Sequence, residues 1–425
     1  MRRTPARRLL AATAVLVASA LAPVAAVPAT AATSTTGAAL PASAPFDHGD
    51  TSAGPASGPG PTGGFSPELT ARLDKVIEDA RVQAGIPGLV AGLWMPGKGR
   101  YVRATGVADK VTGEPMSTDV FLRIGSETKT FTVTALMKLV DDGRIKLDDP
   151  IAKYIAGVPN GWKITLRNLA EMRSGLFPYT DDADFQQDLL SDPSRYFSPH
   201  EVLAYGYKHK NPAEPGKVFQ YSNSNLILLG LVVEKVSGHR LVDFLEKRVL
   251  RPAKLRHTLL PEGPEFPEPH PRGYTNQTLS GQVTDATDWN PSWAWAAGAM
   301  ISNLEDLRRW ARIVATGELL SPETQAQRLK FLPIGVPGTS YGLGIMNSGG
   351  WIGHNGSIPG YETVTVYLPS QKATLVLMLN TDITSQGQEP SSLVARAITQ
   401  VVTPDNVYDR PVPPRVAAPA VLPTS

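Results

Sequence analysis

The chain has 425 residues, of which 42% are hydrophobic and 19% are charged, an ordinary globular composition that allows one large domain or two small ones. It contains no cysteine, which excludes disulfides, a thiolate nucleophile and thiolate metal sites. The formal charge of +2 becomes −2 when four N-terminal arginines are subtracted, so no binding of nucleic acid is expected.

The N-terminus has the layout of a secretory signal peptide. Four arginines come first, an apolar run follows over 9–21, and small residues then continue to Ala31. We therefore expect residues 1–31 to be a signal peptide and the mature protein to be secreted, through either the general or the twin-arginine route.

Two stretches that flank the central region have the composition of unfolded chain. Residues 32–65 are rich in Ala, Ser, Thr, Gly and Pro, which predicts a disordered leader, and 403–425 reads as a Pro-rich extended tail. No apolar run after residue 31 approaches the ~20 residues of a membrane-spanning helix, so the mature protein is expected to have no membrane span.

The remaining region, 66–402, is predicted to be one folded unit. Apolar spacing and turn residues predict, in chain order, a helix over 66–83, strands over 89–94 and 100–105, a helix from Ser126 that stops before Gly143, a helix over 303–316, strands over 361–367 and 373–379, and a helix over 391–401. The stretch 144–290 mixes short helical segments with Pro-rich loops. This order predicts an α/β layer built from both ends of the chain, a helical insertion at 144–290, and an active site in the cleft between them.

The first chemical motif is Gly125-Ser126-Glu127-Thr128-Lys129. Three positions apart at a helix start, Ser126 and Lys129 lie on one face and within reach of each other. A desolvated, neutral lysine can take the proton of a serine nucleophile, and the helix N-terminus places N–H groups near a developing oxyanion. A chance Ser-x-x-Lys is the alternative if the motif stands alone.

Two further motifs follow along the chain. Tyr221-Ser222-Asn223 offers a phenol that could move a proton and an amide that could bind a substrate carbonyl, although a Tyr and an Asn capping a buried helix is the plainer interpretation. In the run 353–357, glycines allow a substrate backbone to approach a strand, and the N–H of Ser357 could donate to an oxyanion. His354 could bind a substrate carboxylate or hold Tyr221.

Together, these three motifs in this order resemble the serine β-lactamase and D-alanyl-D-alanine carboxypeptidase family. The likeness is to its class C branch and its secreted Streptomyces-type carboxypeptidases, and it covers nearly all of 66–402. Accessory stretches agree with it, among them Ala297-Gly-Ala-Met-Ile-Ser302 and Tyr341-Gly-Leu-Gly344. The resemblance implies a β-lactamase-like α+β fold, in which an antiparallel sheet is flanked by helices and accompanied by a mainly helical second subdomain.

The resemblance also implies roles for individual residues. Ser126 matches the acylated serine and Lys129 its paired base, while Tyr221 with Asn223 matches the Tyr-x-Asn pair. The third motif is matched by His354, as a further catalytic residue, together with Asn355, Gly356 and Ser357 as substrate-binding positions. The choice between Lys129 and Tyr221 as the acylation base stays open. Neither a metal nor a cofactor is expected.

Two departures from the family pattern concern substrate recognition. Asn355 stands where Thr is usual, which changes the donor offered to a substrate carboxylate. Met346 lies in the segment where secreted carboxypeptidases of this kind tend to carry a carboxylate-binding arginine, and a thioether cannot replace it.

The leading hypothesis is a secreted serine D-Ala-D-Ala carboxypeptidase, with peptidoglycan-type peptides as substrates and β-lactams as covalent ligands. The alternatives within the enzyme class are a D-stereospecific peptidase or amidohydrolase, an esterase and, less favoured, a β-lactamase. A penicillin-binding sensor or wall-binding module is the non-enzyme alternative.

Overall fold

The computed structural model describes residues 63–409, so the predicted signal peptide 1–31 and most of the predicted leader and tail lie outside the described residues. Within this range, the strands are β1 (Gly88–Met95), β2 (Gly99–Gly106), β3 (Phe121–Arg123), β4 (Tyr274–Thr275), β5 (Thr284–Asp285), β6 (Ile301–Asn303), β7 (Leu332–Pro333), β8 (Thr339–Tyr341), β9 (Met346–Ser348), β10 (Trp351–Ile358), β11 (Tyr361–Leu368) and β12 (Ala373–Leu379).

The α-helices in the same range are α1 (Pro67–Ala84), α2 (Thr128–Asp141), α3 (Leu166–Ala170), α4 (Ala183–Ser191), α5 (Pro199–Tyr207), α6 (Asn223–Ser237), α7 (Leu241–Leu245), α8 (Arg251–Ala253), α9 (Trp295–Gly298), α10 (Leu304–Thr316), α11 (Pro322–Arg328) and α12 (Pro390–Val402). A π-helical turn, Glu246–Leu250, joins α7 to α8, and a 3-10 turn, Gly125–Glu127, leads into α2.

Eight of these strands form the main sheet of the described region, in the order β2-β1-β12-β11-β10-β9-β8-β7 with antiparallel pairing throughout. Both terminal parts of the chain supply it, as predicted. Every residue of β1, β11 and β12 is buried, because helices cover both faces of the sheet. The predicted antiparallel sheet flanked by helices is therefore confirmed.

The helices on the two faces have different neighbours. A Cβ at Gly92 would lie 3.0 Å from Leu304 of α10, whereas Leu89 and Ala91 of the same strand lie beside Ile77 of α1. Helices α1 and α12 pack together, and α12 also contacts β11 and β12. Since side chains alternate along a strand, α10 covers one face and the α1–α12 pair the other.

The mainly helical part contains α3 to α8 and lies within the predicted insertion at 144–290. Its central helix α6 packs against α2, and residues 224–233 of α6 are buried throughout. This burial explains the continuous apolar run at 226–229, since a helix enclosed on all sides shows no polar stripe. The N-terminal ends of α2 and α6 thus meet beside the sheet.

The packed region extends slightly past the predicted boundaries at 66 and 402. Phe65 is buried and its N–H donates to the Arg100 carbonyl at 3.4 Å, and at the other end Tyr408 is fully buried. The Asp409 carbonyl accepts from Ser348 Oγ at 2.7 Å. Local composition marked these segments as unfolded, whereas contacts with distant strands fix them. Among residues 63–409, no helix is both long and apolar enough to cross a bilayer.

Candidate active site

Ser126 and Lys129 are in direct contact. Ser126 lies in the 3-10 turn and Lys129 in the first turn of α2, so one helical turn separates them. Lys129 Nζ lies 2.8 Å from Ser126 Oγ and 2.7 Å from the Ala297 carbonyl oxygen, and the lysine side chain is 0% exposed. The position of its nitrogen is therefore fixed by the nucleophile candidate on one side and by α9 on the other.

The turn that carries Ser126 rests on strand β10 with almost no space between the two backbones. Gly125 has φ +49°, and a Cβ there would lie 2.6 Å from the Ser357 nitrogen. A Cβ at Gly356 would lie 1.9 Å from the Ile124 carbonyl oxygen. Glycine is required at both positions, because the turn that bears Ser126 lies directly against residues 356 and 357 of β10.

Tyr221 enters the site from the start of α6. Lys129 Nζ lies 4.8 Å from the centre of its ring, and the ring of His354 lies 6.3 Å away. The preceding residue, Gln220, donates its N–H to the Met172 carbonyl at 2.8 Å, which fixes the approach of the chain. Asn223 is the first residue of α6, and within residues 63–409 its buried Oδ1 accepts no hydrogen bond.

Both ring nitrogens of His354 contact protein groups. His354 is 1% exposed, its Nδ1 lies 2.5 Å from the Asn355 carbonyl oxygen, and its Nε2 lies 3.1 Å from the hydroxyl of Tyr341 in β8. Because a carbonyl oxygen only accepts, Nδ1 carries a proton. Both ring nitrogens are committed to the protein, so the imidazole is not arranged to receive a substrate carboxylate.

The Asn355 side chain lies on the other face of β10. Alternation along the strand turns it away from the face shared by His354 and Gly356, and its Nδ2 donates to Glu389 Oε2 at 2.9 Å. The predicted contact between this side chain and substrate is therefore corrected to a structural contact with the residue that precedes α12. The sequence could not give this contact, since Glu389 is 34 positions away.

One edge of β10 is open to an extended ligand. Strand β9 pairs with 351–353 of β10 and ends at the Met346–Gly353 pair, while β11 pairs with residues as far as Ile358. In the described part of the chain, residues 354–358 thus have a strand neighbour on one side. Ser357 is exposed at this edge, where an extended substrate could add as a further strand.

Sequence reasoning missed three features of the site. The sequence offers Tyr341 only within the accessory stretch 341–344, Ala297 acts through a carbonyl that has no sequence signature, and Glu127 is an ionisable residue buried beside Ser126. The neighbouring accessory stretches were the available signal for the first two. No group of three or more His, Asp or Glu side chains within 63–409 is placed to hold a metal ion.

Comparison with known proteins gives a family and several related structures. The family model Beta-lactamase matches residues 73–398. Protein flp of Staphylococcus aureus (strain N315) is 25% identical over 344 residues, which are 78% of this chain and 66% of that protein. The chain spans 61% to 66% of the length of such curated relatives.

Two solved structures cover nearly the whole folded region. The D-stereospecific amidohydrolase from a Streptomyces species is 32% identical with a TM-score of 0.71, over 79% of this chain and 99% of that one. The D-amino acid amidase from Ochrobactrum anthropi SV3, solved with D-phenylalanine, is 25% identical with a TM-score of 0.71, again over 79% and 99%.

Proposed function

Since the chain belongs to the Beta-lactamase family, we propose that it is a D-stereospecific amidohydrolase that acts through an acyl-enzyme on Ser126. The observation that carries the proposal is the direct contact between Ser126 and Lys129, only 2.8 Å apart and sealed from solvent on the lysine side. Family and related structures place the chain among serine hydrolases, while the substrate class is our proposal.

The first half-reaction forms the acyl-enzyme. Unprotonated Lys129 Nζ takes the Ser126 proton as Oγ attacks the carbonyl carbon of the substrate, and the N–H groups of Ser126 and Ser357 donate to the oxyanion. The carbon–nitrogen bond then breaks. The amine leaves with the proton returned by Lys129, either directly or through the hydroxyl of Tyr221, whose ring lies beside that nitrogen.

The second half-reaction restores the enzyme. Water gives a proton to the same base and attacks the acyl carbon, the bond to Ser126 Oγ breaks, and Oγ regains its proton. Asn223, with its buried carbonyl oxygen unsatisfied, is suited to accept from an N–H of the acyl part.

Three features favour an uncharged leaving group over a terminal carboxylate. Both nitrogens of His354 are engaged within the protein, the amide nitrogen of Asn355 is bonded to Glu389, and Met346 is buried and apolar. Strands β8, β9 and β10 contain no Lys or Arg that could bind a carboxylate. This preference agrees with the two related structures, a D-stereospecific amidohydrolase and a D-amino acid amidase, and leads us to place amide hydrolysis before carboxypeptidase action.

A D-Ala-D-Ala carboxypeptidase is the second candidate. The open edge of β10 over 354–358 supports it, because an extended peptide could pair there through its backbone. In either case, we propose that the mature enzyme is secreted after loss of residues 1–31 and that β-lactams acylate Ser126. The intact mass of protein recovered from culture medium tests the export proposal.

The substrate class is tested with matched compounds and the purified mature protein. We expect release of ammonia from D-phenylalanine amide but not from L-phenylalanine amide, and faster cleavage of an acylated D-Ala-D-Ala carboxamide than of the same peptide with a free carboxylate. A Ser126→Ala variant serves as the blank. Preferred release of D-Ala from the carboxylate form would establish the second candidate instead.

Benzylpenicillin and simple esters, used as further substrates, separate the remaining alternatives. Consumption of the drug with turnover would identify a β-lactamase, and hydrolysis confined to simple esters would identify an esterase. A lasting adduct on Ser126 without hydrolysis of any amide, peptide or ester would support the penicillin-binding sensor.

A further inference from the structure

The carboxyl group of Glu127 is buried directly beside the nucleophile candidate. Glu127 follows Ser126 as the last residue of the 3-10 turn and is 1% exposed. Both of its carboxyl oxygens are buried without a hydrogen-bond partner within residues 63–409, and the hydroxyl groups of Thr363 and Thr365 on β11 are the polar groups that act on them. These two threonines are paired across the sheet with Gly356 and His354, so Glu127 contacts the strand pair that bears the third motif.

The same group of atoms holds the Ser126 turn in place. The Ile124 carbonyl accepts from the Glu127 N–H at 3.2 Å and from Thr363 Oγ1 at 3.2 Å. Ile124 N–H in turn donates to the Met300 carbonyl at 2.9 Å. The turn is therefore tied to β11 on one side and to the segment before β6 on the other, with the Glu127 side chain between turn and sheet.

Within residues 63–409, Glu127 forms no ion pair, and the nearby Lys129 Nζ is directed to Ser126 Oγ and the Ala297 carbonyl. Burial raises the pKa of Glu127 to about 8, and the neighbouring threonine hydroxyls offset only part of that rise. Of the elements packed against the turn, α2 contributes Lys129, β10 contributes His354, and α9 contributes no ionisable side chain. Glu362 of β11 is directed to the opposite face, where it accepts from the Ser391 N–H at 2.9 Å.

We propose that Glu127 is a positioning residue that works as a neutral acid, bracing the Ser126 turn against β11, and that its ionisation sets the alkaline limit of activity. In the neutral form, the O–H can donate to a threonine oxygen while the carbonyl oxygen accepts from the other threonine. Loss of the proton leaves a buried anion next to Ser126, which the turn can accommodate only by moving toward water. The proposal rests on the role proposed for Ser126.

The test compares Glu127→Gln, Glu127→Ala and the unaltered enzyme between pH 6 and pH 10. We expect Glu127→Ala to lose activity at pH 7 and Glu127→Gln to restore it, because the amide keeps both the shape and a donor. Above about pH 8, the activity of the unaltered enzyme divided by that of Glu127→Gln should fall roughly tenfold per pH unit.

A ratio that stays flat from pH 6 to pH 10 would overturn the proposal, as would a folded but inactive Glu127→Gln at pH 7. Glu171→Gln is the matched control. It removes another buried carboxyl whose pKa is raised by burial, and it should leave the activity ratio flat.

Thermal unfolding separates this proposal from the proposed substrate class. A carboxyl whose pKa is higher in the folded protein than in the unfolded chain stabilises the fold less as the pH rises. For Glu127, this loss runs from the unfolded pKa of 4.5 to the folded pKa of about 8. The midpoint of the unaltered protein should therefore fall relative to Glu127→Gln across that window, whichever substrate is cleaved. If it does so while no D-amide is hydrolysed, the substrate proposal alone has failed. Equal midpoints across the window would show that Glu127 is not a buried neutral acid.

Discussion

The two sides of the cleft differ in how far their side chains follow the family pattern. On the helical side, Ser126, Lys129 and Tyr221 come together as the resemblance implies. On the strand side, His354 is bonded to Tyr341 and Asn355 to Glu389, so both side chains hold the protein together. The comparison indicates that the helical side carries the reacting side chains. The strand side provides a backbone edge with which a substrate can pair, and it offers few charged side chains for binding a substrate.

The largest effects should come from the helical side. We expect Ser126→Ala and Lys129→Ala each to lower kcat/KM by at least about 10³-fold, since a nucleophile or its proton acceptor is removed. Lys138→Ala is the control on the same helix, because Lys138 Nζ donates to the Leu319 carbonyl at 2.8 Å, outside the cleft. If steady-state kinetics showed that Lys138→Ala lowers kcat/KM as much as Lys129→Ala, Lys129 could not be assigned a special role in the reaction.

The contact between the two sides is tested by two glycines that flank α2. Gly125→Ala adds a Cβ 2.6 Å from the Ser357 nitrogen, whereas a Cβ at Gly143 meets nothing within 4 Å, and both residues have positive φ. Gly143→Ala should cost about 1 kcal/mol of unfolding free energy through strain alone. Gly125→Ala should cost about 1–3 kcal/mol more and reduce kcat about 10²-fold through displacement of Ser126. Equal denaturation midpoints for the two variants would contradict this account.

A smaller effect is expected from Tyr341→Phe on the strand side. The change removes the hydroxyl next to His354 Nε2, and we expect kcat/KM to fall about tenfold with a stability loss of about 1 kcal/mol. Tyr361→Phe is the matched control, because Tyr361 is a fully buried tyrosine whose hydroxyl donates to the Pro271 carbonyl at 2.9 Å, in the core. The Tyr361→Phe variant should lose a similar amount of stability but keep its activity. If both variants lost activity to the same extent, Tyr341 would have no special role in the site.

The smallest effect is expected from Asn355→Ala. It breaks the bond to Glu389 and should cost about 1 kcal/mol of stability, with kcat/KM for carboxamide and carboxylate substrates changed by the same small factor. A selective loss with the carboxylate substrate would return Asn355 to the substrate-binding residues.

Local sequence was enough to predict the contact between Ser126 and Lys129 and several regular elements, whereas the place of Tyr221 beside them came from the family resemblance. Ser126 and Lys129 meet because a spacing of three on a helix brings side chains to one face, and the predicted helix at 66–83 and strands at 89–94 and 100–105 correspond to α1, β1 and β2. Periodicity and turn residues determine features of this kind without reference to distant parts of the chain.

Contacts between distant segments explain what the sequence did not predict. Tyr341 reaches His354 through the β8–β9–β10 meander, and Asn355 turns to Glu389 because strand alternation directs it to the far face. Glu127, an ionisable residue, is buried because the Ser126 turn packs on β10 and β11. Single-sequence patterns carry no record of such packing.

The most direct test of the central claim is the mass of the covalent intermediate. The enzyme would be quenched with acid during turnover of a D-phenylalanine ester or amide, and its proteolytic peptides weighed. We predict a phenylalanyl adduct on the peptide that contains Ser126, weaker with the L-enantiomer and absent in Ser126→Ala. An adduct on another residue, or undiminished turnover by Ser126→Ala, would contradict it.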